Sequence, residues 1–145
     1  MAKIKKIITS SSEETIKVGM DLSKNLRKGS IVAFLGDLGS GKTTFIKGIV
    51  KALSEKKDIN VNSPTFVYLN IYDVKIPVYH FDLYRIKDKN EFYSHGFEEY
   101  FSCSGVCLIE WSENILDILP KDTTFVKISH QSENEREIEI TNAFK

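Results

Sequence analysis

Several features that would indicate a specialised class of protein are absent from this sequence of 145 residues. Lysine and arginine together number 20, as do aspartate and glutamate, so the formal net charge of zero gives no global attraction to nucleic acid. No apolar run reaches the roughly 18 residues that a membrane span requires. The basic residues at the start are not followed by the apolar segment of a signal peptide. We therefore expect a cytoplasmic protein with no membrane partner.

Cysteine is scarce as well, because the chain contains only Cys103 and Cys107 and no pair of histidines lies near them. Two cysteines are too few for a zinc site or a disulfide scaffold, and we expect both to be small buried residues in a reducing compartment. Internal repeats, linkers and low-complexity segments are also missing. Residues 1–145 are therefore predicted to form a single domain, which is long enough to bury a substantial core.

What the sequence does contain is an alternation of strand and helix patterns. The apolar run at 31–36 is typical of a strand buried on both faces of a sheet, and helical spacing begins at Lys42. A helix at 10–26 has capping patterns at Ser10 and Ser11. Its predicted apolar face consists of Ile16, Met20, Leu22 and Leu26. This order of elements predicts an α/β fold around a mixed sheet.

The remaining predicted elements lie mostly in the second half of the chain, which has a strong β pattern. They are an edge strand at 3–9, hairpin strands at 66–72 and 76–84, a helix at 90–101 interrupted at Gly96, a strand at 105–111, a short helix at 112–119 stopped by Pro120, and hairpin strands at 124–130 and 136–144.

The segment GDLGSGKTTF at 36–45 follows the apolar strand directly and opens the next helix. It contains the complete phosphate-loop pattern G-x-x-x-x-G-K-[ST], which predicts a P-loop NTPase-like three-layer domain. Glycines let the backbone wrap around phosphates, and amides at the helix start favour an anion. Lys42 would neutralise the β- and γ-phosphates, and the Thr43 hydroxyl would bind Mg²⁺. The residues predicted to bind the nucleotide here are Gly36, Asp37, Leu38, Gly39, Ser40, Gly41, Lys42, Thr43 and Thr44.

A phosphate loop needs an acidic residue near the metal, and two acids follow apolar strands in this chain. Asp82 ends the run PVYHFD and Glu110 ends VCLIE. Carboxylates at strand ends supply the hard oxygen ligands that Mg²⁺ prefers. Spacing alone does not decide which of the two touches the metal, and a solvated charge at a strand end is the alternative for each.

The polar segment NSPTF at 62–66 has two interpretations. In many P-loop switch proteins a threonine at this stage of the chain senses the γ-phosphate and the metal. The alternative is a plain Ser-Pro turn. The sequence leaves both open.

Four motifs, in this order and spacing, resemble those of the bacterial TsaE (YjeE) family: GDLGSGKTTF, SPTF, YHFDLYR and LIEW. The similarity covers residues 5–142, and four motifs together are far more specific than a phosphate loop alone. The resemblance implies the ATPase component of threonylcarbamoyladenosine (t6A) tRNA modification. It implies slow ATP hydrolysis and action with a TsaB–TsaD heterodimer, which transfers the threonylcarbamoyl group to adenosine 37 of tRNA. This chain would not itself be the transferase, and its contact with tRNA would be indirect.

The resemblance also implies roles for individual residues. By position, Thr43 and Glu110 correspond to the Mg²⁺ ligands of the family. Asp82 corresponds to the carboxylate that orients the attacking water or the switch, and Thr65 belongs to the switch-like segment. With Lys42, these last two residues form the predicted catalytic set.

Three further residues of interest lie outside the catalytic set. Ser12 and Arg136 fall where the family contacts the nucleotide. Arg136 could stack on adenine, or it could be an exposed strand charge. Trp111 follows the metal acid, and we interpret it as a core or interface aromatic.

Three other functions are alternatives to a partner-dependent ATPase. A small GTPase would need an N-K-x-D element to recognise guanine, and the sequence contains none. A small-molecule kinase would need an acceptor pocket and an arginine-bearing lid, whereas the segment 90–101 is acidic and aromatic without arginine. A nucleotide-gated binding module would differ from an ATPase only in turnover, which the sequence does not reveal.

Overall fold

The computed structural model describes residues 4–36, 41–55 and 59–141, and seven strands in these ranges form one mixed sheet. The strands are β1 (Ile4–Thr9), β2 (Ile31–Leu35), β3 (Leu69–Tyr72), β4 (Val78–Asp82), β5 (Val106–Glu110), β6 (Thr124–His130) and β7 (Arg136–Thr141). Their order across the sheet is β1-β7-β6-β2-β5-β4-β3. The four central strands β6, β2, β5 and β4 are parallel, and antiparallel strands flank them on both sides. The predicted mixed sheet is therefore confirmed.

Helices cover both faces of this sheet. They are α1 (Ser12–Ser23), α2 (Lys42–Ser54), α3 (Lys89–Ser94) and two 3₁₀ helices, Phe97–Ser102 and Ser112–Ile118. Alternate residues of the central strands point to opposite faces, as the period of two requires. Leu108 of β5 packs in a core cluster with residues of α1 and α2, whereas Ile109 packs in a second cluster with α3 and the 3₁₀ helices. This is the predicted three-layer α/β arrangement.

The first helix begins with a capping arrangement that its sequence predicted. The Ser11 hydroxyl accepts a hydrogen bond from the Glu14 backbone N–H, and the Glu14 carboxylate accepts one from the Ser10 N–H. The predicted apolar face is wrong at Met20, whose side chain is exposed, while Leu22 is buried.

The helix α1 instead approaches α2 through two glycines. A Cβ on Gly19 would collide with the Phe45 carbonyl oxygen, and a Cβ on Gly48 would collide with that of Ile16. The two helices thus meet backbone to backbone, which only glycine allows.

The predicted helix at 90–101 is divided, as expected, at Gly96. An α-helical turn precedes the glycine and a 3₁₀ helix follows it. The segment predicted as a short helix at 112–119 is also 3₁₀ in type and ends before Pro120. None of the helices in the described ranges is long and apolar enough to cross a membrane.

The two cysteines differ in environment, and the expectation that both are buried is wrong for Cys103. Cys103 is exposed, whereas Cys107 is buried in the middle of β5 and its thiol donates to the Tyr100 carbonyl. Burial raises the pKa of Cys107 to about 12, and Cys103 adds to the rise. The neutral thiol is therefore the stable form of Cys107 at physiological pH.

We expect the Cys103 thiol of the folded protein to react with iodoacetamide at pH 8 and the Cys107 thiol to remain protected. The thiolate is the nucleophile, and a buried thiol with a raised pKa has almost none of it. Mass spectrometry of peptides from the native and the urea-unfolded protein measures this directly. Equal labelling of Cys103 and Cys107 in the native state would contradict the assigned environments.

Candidate nucleotide-binding site

The carboxyl ends of the parallel strands meet at one edge of the sheet, and the candidate site lies there. The strand β2 leads into Gly36, β4 ends at Asp82 and β5 ends at Glu110. Asp82 and Glu110 are direct neighbours in the β4–β5 register, and each is 3% exposed. In open α/β sheets ligands bind outside these strand ends. The structure thus brings the two predicted acids together beside the phosphate loop.

The residues on either side of the phosphate loop, Gly36 and Gly41, belong to the described part of the chain. Gly41 is the N-cap of α2 and has a left-handed φ of 108°, a conformation that favours glycine. The Lys42 ammonium donates a hydrogen bond of 2.8 Å to the Gly36 carbonyl oxygen. It also lies 3.7 Å from the centroid of the Trp111 ring, a cation–π contact. The predicted nucleotide-binding residues Asp37, Leu38, Gly39 and Ser40 lie outside the described residues.

Three oxygen-bearing side chains form a continuous group beside Lys42. The hydroxyls of Thr43 and Ser63 are 2.5 Å apart, and Ser63 donates a hydrogen bond of 2.8 Å to Glu110 Oε2. Because the single proton of Ser63 is used on the carboxylate, Thr43 is the donor to Ser63. Thr43 and Glu110, the two predicted metal ligands, are therefore joined through one serine.

This group of oxygens is suited to a hard cation that is shared with a ligand. Within the described residues no cluster of three or more His, Cys, Asp or Glu side chains could hold a metal ion. Mg²⁺, however, is commonly bound through one or two carboxylates together with phosphate oxygens and water. Glu110 and the Thr43 hydroxyl are a donor set of that kind, so these residues could hold Mg²⁺ together with a nucleotide.

The second acid is held by the same segment of chain. Thr65 donates a hydrogen bond of 3.0 Å to Asp82 Oδ2, and the Tyr84 backbone N–H donates one of 2.9 Å to Oδ1. The segment 62–66 therefore contacts both acids, Glu110 through Ser63 and Asp82 through Thr65. The Tyr68 N–H donates to the Pro64 carbonyl, so the segment also contains a turn. The two interpretations of NSPTF are compatible in this geometry.

Sequence reasoning missed His80 and assigned no role to Ser63. His80 is fully buried, and its Nε2 lies 2.6 Å from Glu110 Oε2. Tyr72 lies on the other side of the ring, with its hydroxyl 3.2 Å from His80 Nδ1. Burial raises the pKa of the Tyr72 hydroxyl, and the nearby Glu110 carboxylate adds to the rise. The signal for His80 was the period of two along β4, which places His80 and Asp82 on one face.

These side chains surround a cavity of about 370 Å³. Its walls are formed by Gly41, Lys42, Thr43, Ser63, Thr65, Asp82, Tyr84, Glu110 and Trp111. The rings of Tyr84 and Trp111 pack against each other with centroids 5.0 Å apart, so one wall is aromatic. Trp111 itself adopts a left-handed φ of 58°, which turns the chain sharply after β5. Its ring is thus part of the cavity wall beside Lys42.

A second cavity, of about 140 Å³, adjoins the first at Gly41. It is lined by Ser10, Ser11, Ser12, Thr15, Gly41, Thr44, Glu133, Asn134 and Arg136. The Arg136 guanidinium donates to the carbonyl oxygens of Glu133 and Glu135, which holds it against the β6–β7 turn. The structure thus brings Ser12, Thr44 and Arg136 together, although they are far apart in sequence.

The fold and the site together define a P-loop NTPase-like protein. The central strands are parallel, Gly41 and Lys42 begin the helix that follows β2, and two acids end neighbouring strands. Comparison with known proteins gives the family. The family model for the threonylcarbamoyl adenosine biosynthesis protein TsaE matches residues 9–138. The chain therefore belongs to the TsaE family.

Individual relatives agree with this assignment. The tRNA threonylcarbamoyladenosine biosynthesis protein TsaE of Bacillus subtilis is 39% identical over 134 residues, covering 92% of this chain and 82% of the relative. The protein of the same name from Treponema pallidum is 33% identical over 133 residues, covering 92% of this chain and 97% of the relative. The crystal structure of Bacillus subtilis YdiB superimposes with a TM-score of 0.80 at 34% identity, covering 97% of this chain and 86% of that one.

Proposed function

We propose that this chain is the Mg²⁺-dependent ATP-binding and ATP-hydrolysing component of the t6A tRNA-modification machinery. Membership of the TsaE family supports the part in t6A biosynthesis. The observation that carries the ATPase role is the pair of contacts from segment 62–66, Ser63 to Glu110 and Thr65 to Asp82, beside Lys42. We infer from these contacts that a segment hydrogen-bonded to both acids beside Lys42 responds to a γ-phosphate.

Five residues of the larger cavity have distinct tasks in this proposal. Lys42 leaves the Gly36 carbonyl and the Trp111 ring and neutralises the β- and γ-phosphates. Thr43 and Glu110 would hold Mg²⁺, which supplies charge neutralisation at the phosphate oxygens when it is bound. Asp82 orients the attacking water, and Thr65 fixes the orientation of its carboxylate through Oδ2.

The smaller cavity is proposed to hold the nucleoside. Ser12, Thr44 and Arg136 line it, and Gly41 connects it to the phosphate loop. The Arg136 guanidinium is held by two backbone carbonyls, and a planar cation fixed in this way can stack on adenine. No guanine-reading N-K-x-D element is present in the sequence. ATP is therefore the proposed nucleotide.

Hydrolysis is proposed to serve as a two-state signal toward partner proteins. The γ-phosphate and Mg²⁺ would favour one arrangement of segment 62–66, and hydrolysis would release it. A ligand biases docking only through its differential affinity for the two states, so ATP and ADP should differ in their effect. The proposed partners are the TsaD and TsaB subunits, with tRNA contacted only indirectly.

Reconstitution of t6A formation on tRNA with purified TsaB and TsaD and a supplied activated threonylcarbamoyl donor tests this function. We expect multiple turnovers only when this chain and ATP are both added, because reset of the partner complex would require hydrolysis. GTP should support the reaction poorly, and a calorimetric titration should show tighter binding of ATP than of GTP. A non-hydrolysable ATP analogue should raise affinity for the TsaB–TsaD pair more than ADP does.

Three results would contradict the proposal. Unchanged t6A yield without the chain would remove it from the reaction. Equal partner affinity with no nucleotide, ADP and the ATP analogue would argue against nucleotide-gated docking. Phosphate transfer to a small acceptor in place of water would favour a small-molecule kinase.

A further inference from the structure

His80 has no part in the nucleotide contacts described above, yet it makes the shortest contact to the candidate metal carboxylate. Its Nε2 lies 2.6 Å from Glu110 Oε2, and the two side chains are 0% and 4% exposed. A carboxylate only accepts hydrogen bonds, so the imidazole proton lies on Nε2. Hydrogen bonds with an ionised partner are short and strong, and burial protects this one from competition by water.

The other ring nitrogen of His80 is also occupied. The Tyr72 hydroxyl lies 3.2 Å from Nδ1 and 3.4 Å from the Asn62 carbonyl oxygen, and its one proton is shared between these two acceptors. The rings of Tyr72 and His80 are stacked with centroids 6.0 Å apart. Tyr72 belongs to β3 and His80 to β4, so paired strands fix the ring at both nitrogens. The imidazole is therefore held in one orientation, with Nε2 toward Glu110 and Nδ1 toward Tyr72.

Packing alone does not account for a histidine at this position. Val78 occupies the same face of β4 two residues earlier and is fully buried without any polar group. A buried imidazole costs desolvation free energy that an aliphatic side chain avoids, unless both nitrogens are bonded. Here both are bonded, and one of the partners is the acid that faces Thr43 and Ser63. The bonding pattern thus points to a function at Glu110.

We propose that His80 is a positioning residue for Glu110. It fixes the orientation of the Glu110 carboxylate through Oε2, Tyr72 holds His80, and the carboxylate would bind Mg²⁺ in this orientation. This inference rests on the proposed function, because it assumes that Glu110 binds the metal of a nucleotide complex. Partners of metal ligands commonly act in this way, and their loss typically lowers metal affinity about 10- to 100-fold. His80 itself contacts neither nucleotide nor metal.

A matched pair of substitutions separates this role from simple packing. Glutamine places its amide nitrogen close to the position of histidine Nε2, so His80→Gln retains a donor toward Glu110. Asparagine reaches only as far as Nδ1, so His80→Asn retains a contact to Tyr72 and loses the one to Glu110. Both variants introduce a neutral amide into the same buried place. His95→Asn is the control, because His95 is an exposed residue at the end of α3.

The measurement is the Kd of a fluorescent non-hydrolysable ATP analogue in Mg²⁺ and in EDTA. The ratio of the two values, the magnesium enhancement, isolates the metal from the rest of the nucleotide. We expect His80→Asn to reduce the enhancement about 10-fold or more while leaving the Kd in EDTA unchanged. His80→Gln should restore most of the enhancement, and His95→Asn should match the wild type. Nitrogen NMR of the ligand-free wild type should show His80 protonated at Nε2.

The outcomes distinguish this inference from the proposed function. Equal Kd values in Mg²⁺ and EDTA for the wild type would contradict the proposed function and this inference with it. If the wild type shows a magnesium enhancement, two results would overturn the inference alone. One is an unchanged enhancement in His80→Asn, and the other is an equal loss of enhancement in both His80 variants. If a His80 variant does not unfold cooperatively, Tyr72→Phe decides in its place. A reduced magnesium enhancement in Tyr72→Phe supports the inference, and an unchanged one overturns it.

Discussion

Replacing Lys42 with alanine should reduce ATP turnover to background and weaken ATP binding, while the domain stays folded. Lys42 is buried at the start of α2, and its ammonium lies between the Gly36 carbonyl and the Trp111 ring. Removing one preorganised electrostatic donor from an active site costs roughly 10²–10³-fold in turnover. A lysine that neutralises two phosphates should lie at the upper end of that range. Phosphate release and a calorimetric ATP titration measure the two effects.

The matched control for this variant is Lys47→Ala. Lys47 lies on the same helix but is exposed, so its loss removes an equal charge without touching the loop. The control should bind and hydrolyse ATP as the wild type does. Both variants should unfold cooperatively near the wild-type temperature. Normal ATP turnover in Lys42→Ala would exclude the phosphate-loop assignment.

Substitutions of Asp82 and Glu110 should affect different steps, turnover in one case and Mg²⁺-dependent nucleotide binding in the other. Asp82→Asn should lower turnover by roughly 10²–10⁴-fold, the usual contribution of a positioned base, and should retain most of the ATP affinity. Glu110→Gln should instead weaken Mg²⁺-dependent nucleotide binding, because a neutral amide is a poorer ligand for a hard cation. The contacts support this division. Asp82 is bonded to Thr65 and Tyr84, whereas Glu110 is bonded through Ser63 to Thr43.

Turnover and ATP affinity measured at several Mg²⁺ concentrations separate the two variants. In Asp82→Asn the dependence on Mg²⁺ should resemble that of the wild type. In Glu110→Gln the apparent affinity should recover in part at high Mg²⁺. The reverse pattern would mean that Asp82 is the metal ligand and that Glu110 orients the water.

The central sheet and the two candidate acids could be predicted from the sequence. A fully apolar run such as 31–35 is typical of a central parallel strand, and the structure buries four of its five residues. Glu110 follows a second run of this kind, Asp82 follows a run that is apolar except for Tyr79 and His80, and parallel strands bring their carboxyl ends to one edge. The phosphate-loop pattern supplied the remaining element. Chain order and local pattern thus contain enough information to place these residues near one another.

The contacts between segments were not accessible in the same way. Ser63 bridges residues 20 and 47 positions away, and His80 meets an acid 30 positions away. Such contacts depend on the order of the strands across the sheet, which the hydrophobic pattern of a single strand does not specify. A serine within a polar segment has no pattern that separates a bridging hydroxyl from a solvated one. The error at Met20 has a related cause, because helical spacing cannot show that a neighbouring helix approaches through glycine.

The backbone contact between α1 and α2 limits the substitutions that positions 19 and 48 can accept during evolution. Ser12 lies on α1 and Thr44 on α2, so the spacing of two walls of the smaller cavity depends on Gly19 and Gly48 having no side chains. Even a methyl group at either position would push the helices apart, and overpacking of this kind typically costs about 1–3 kcal/mol. The width of the smaller cavity between Ser12 and Thr44 thus depends on the lack of a Cβ atom at Gly19 and Gly48.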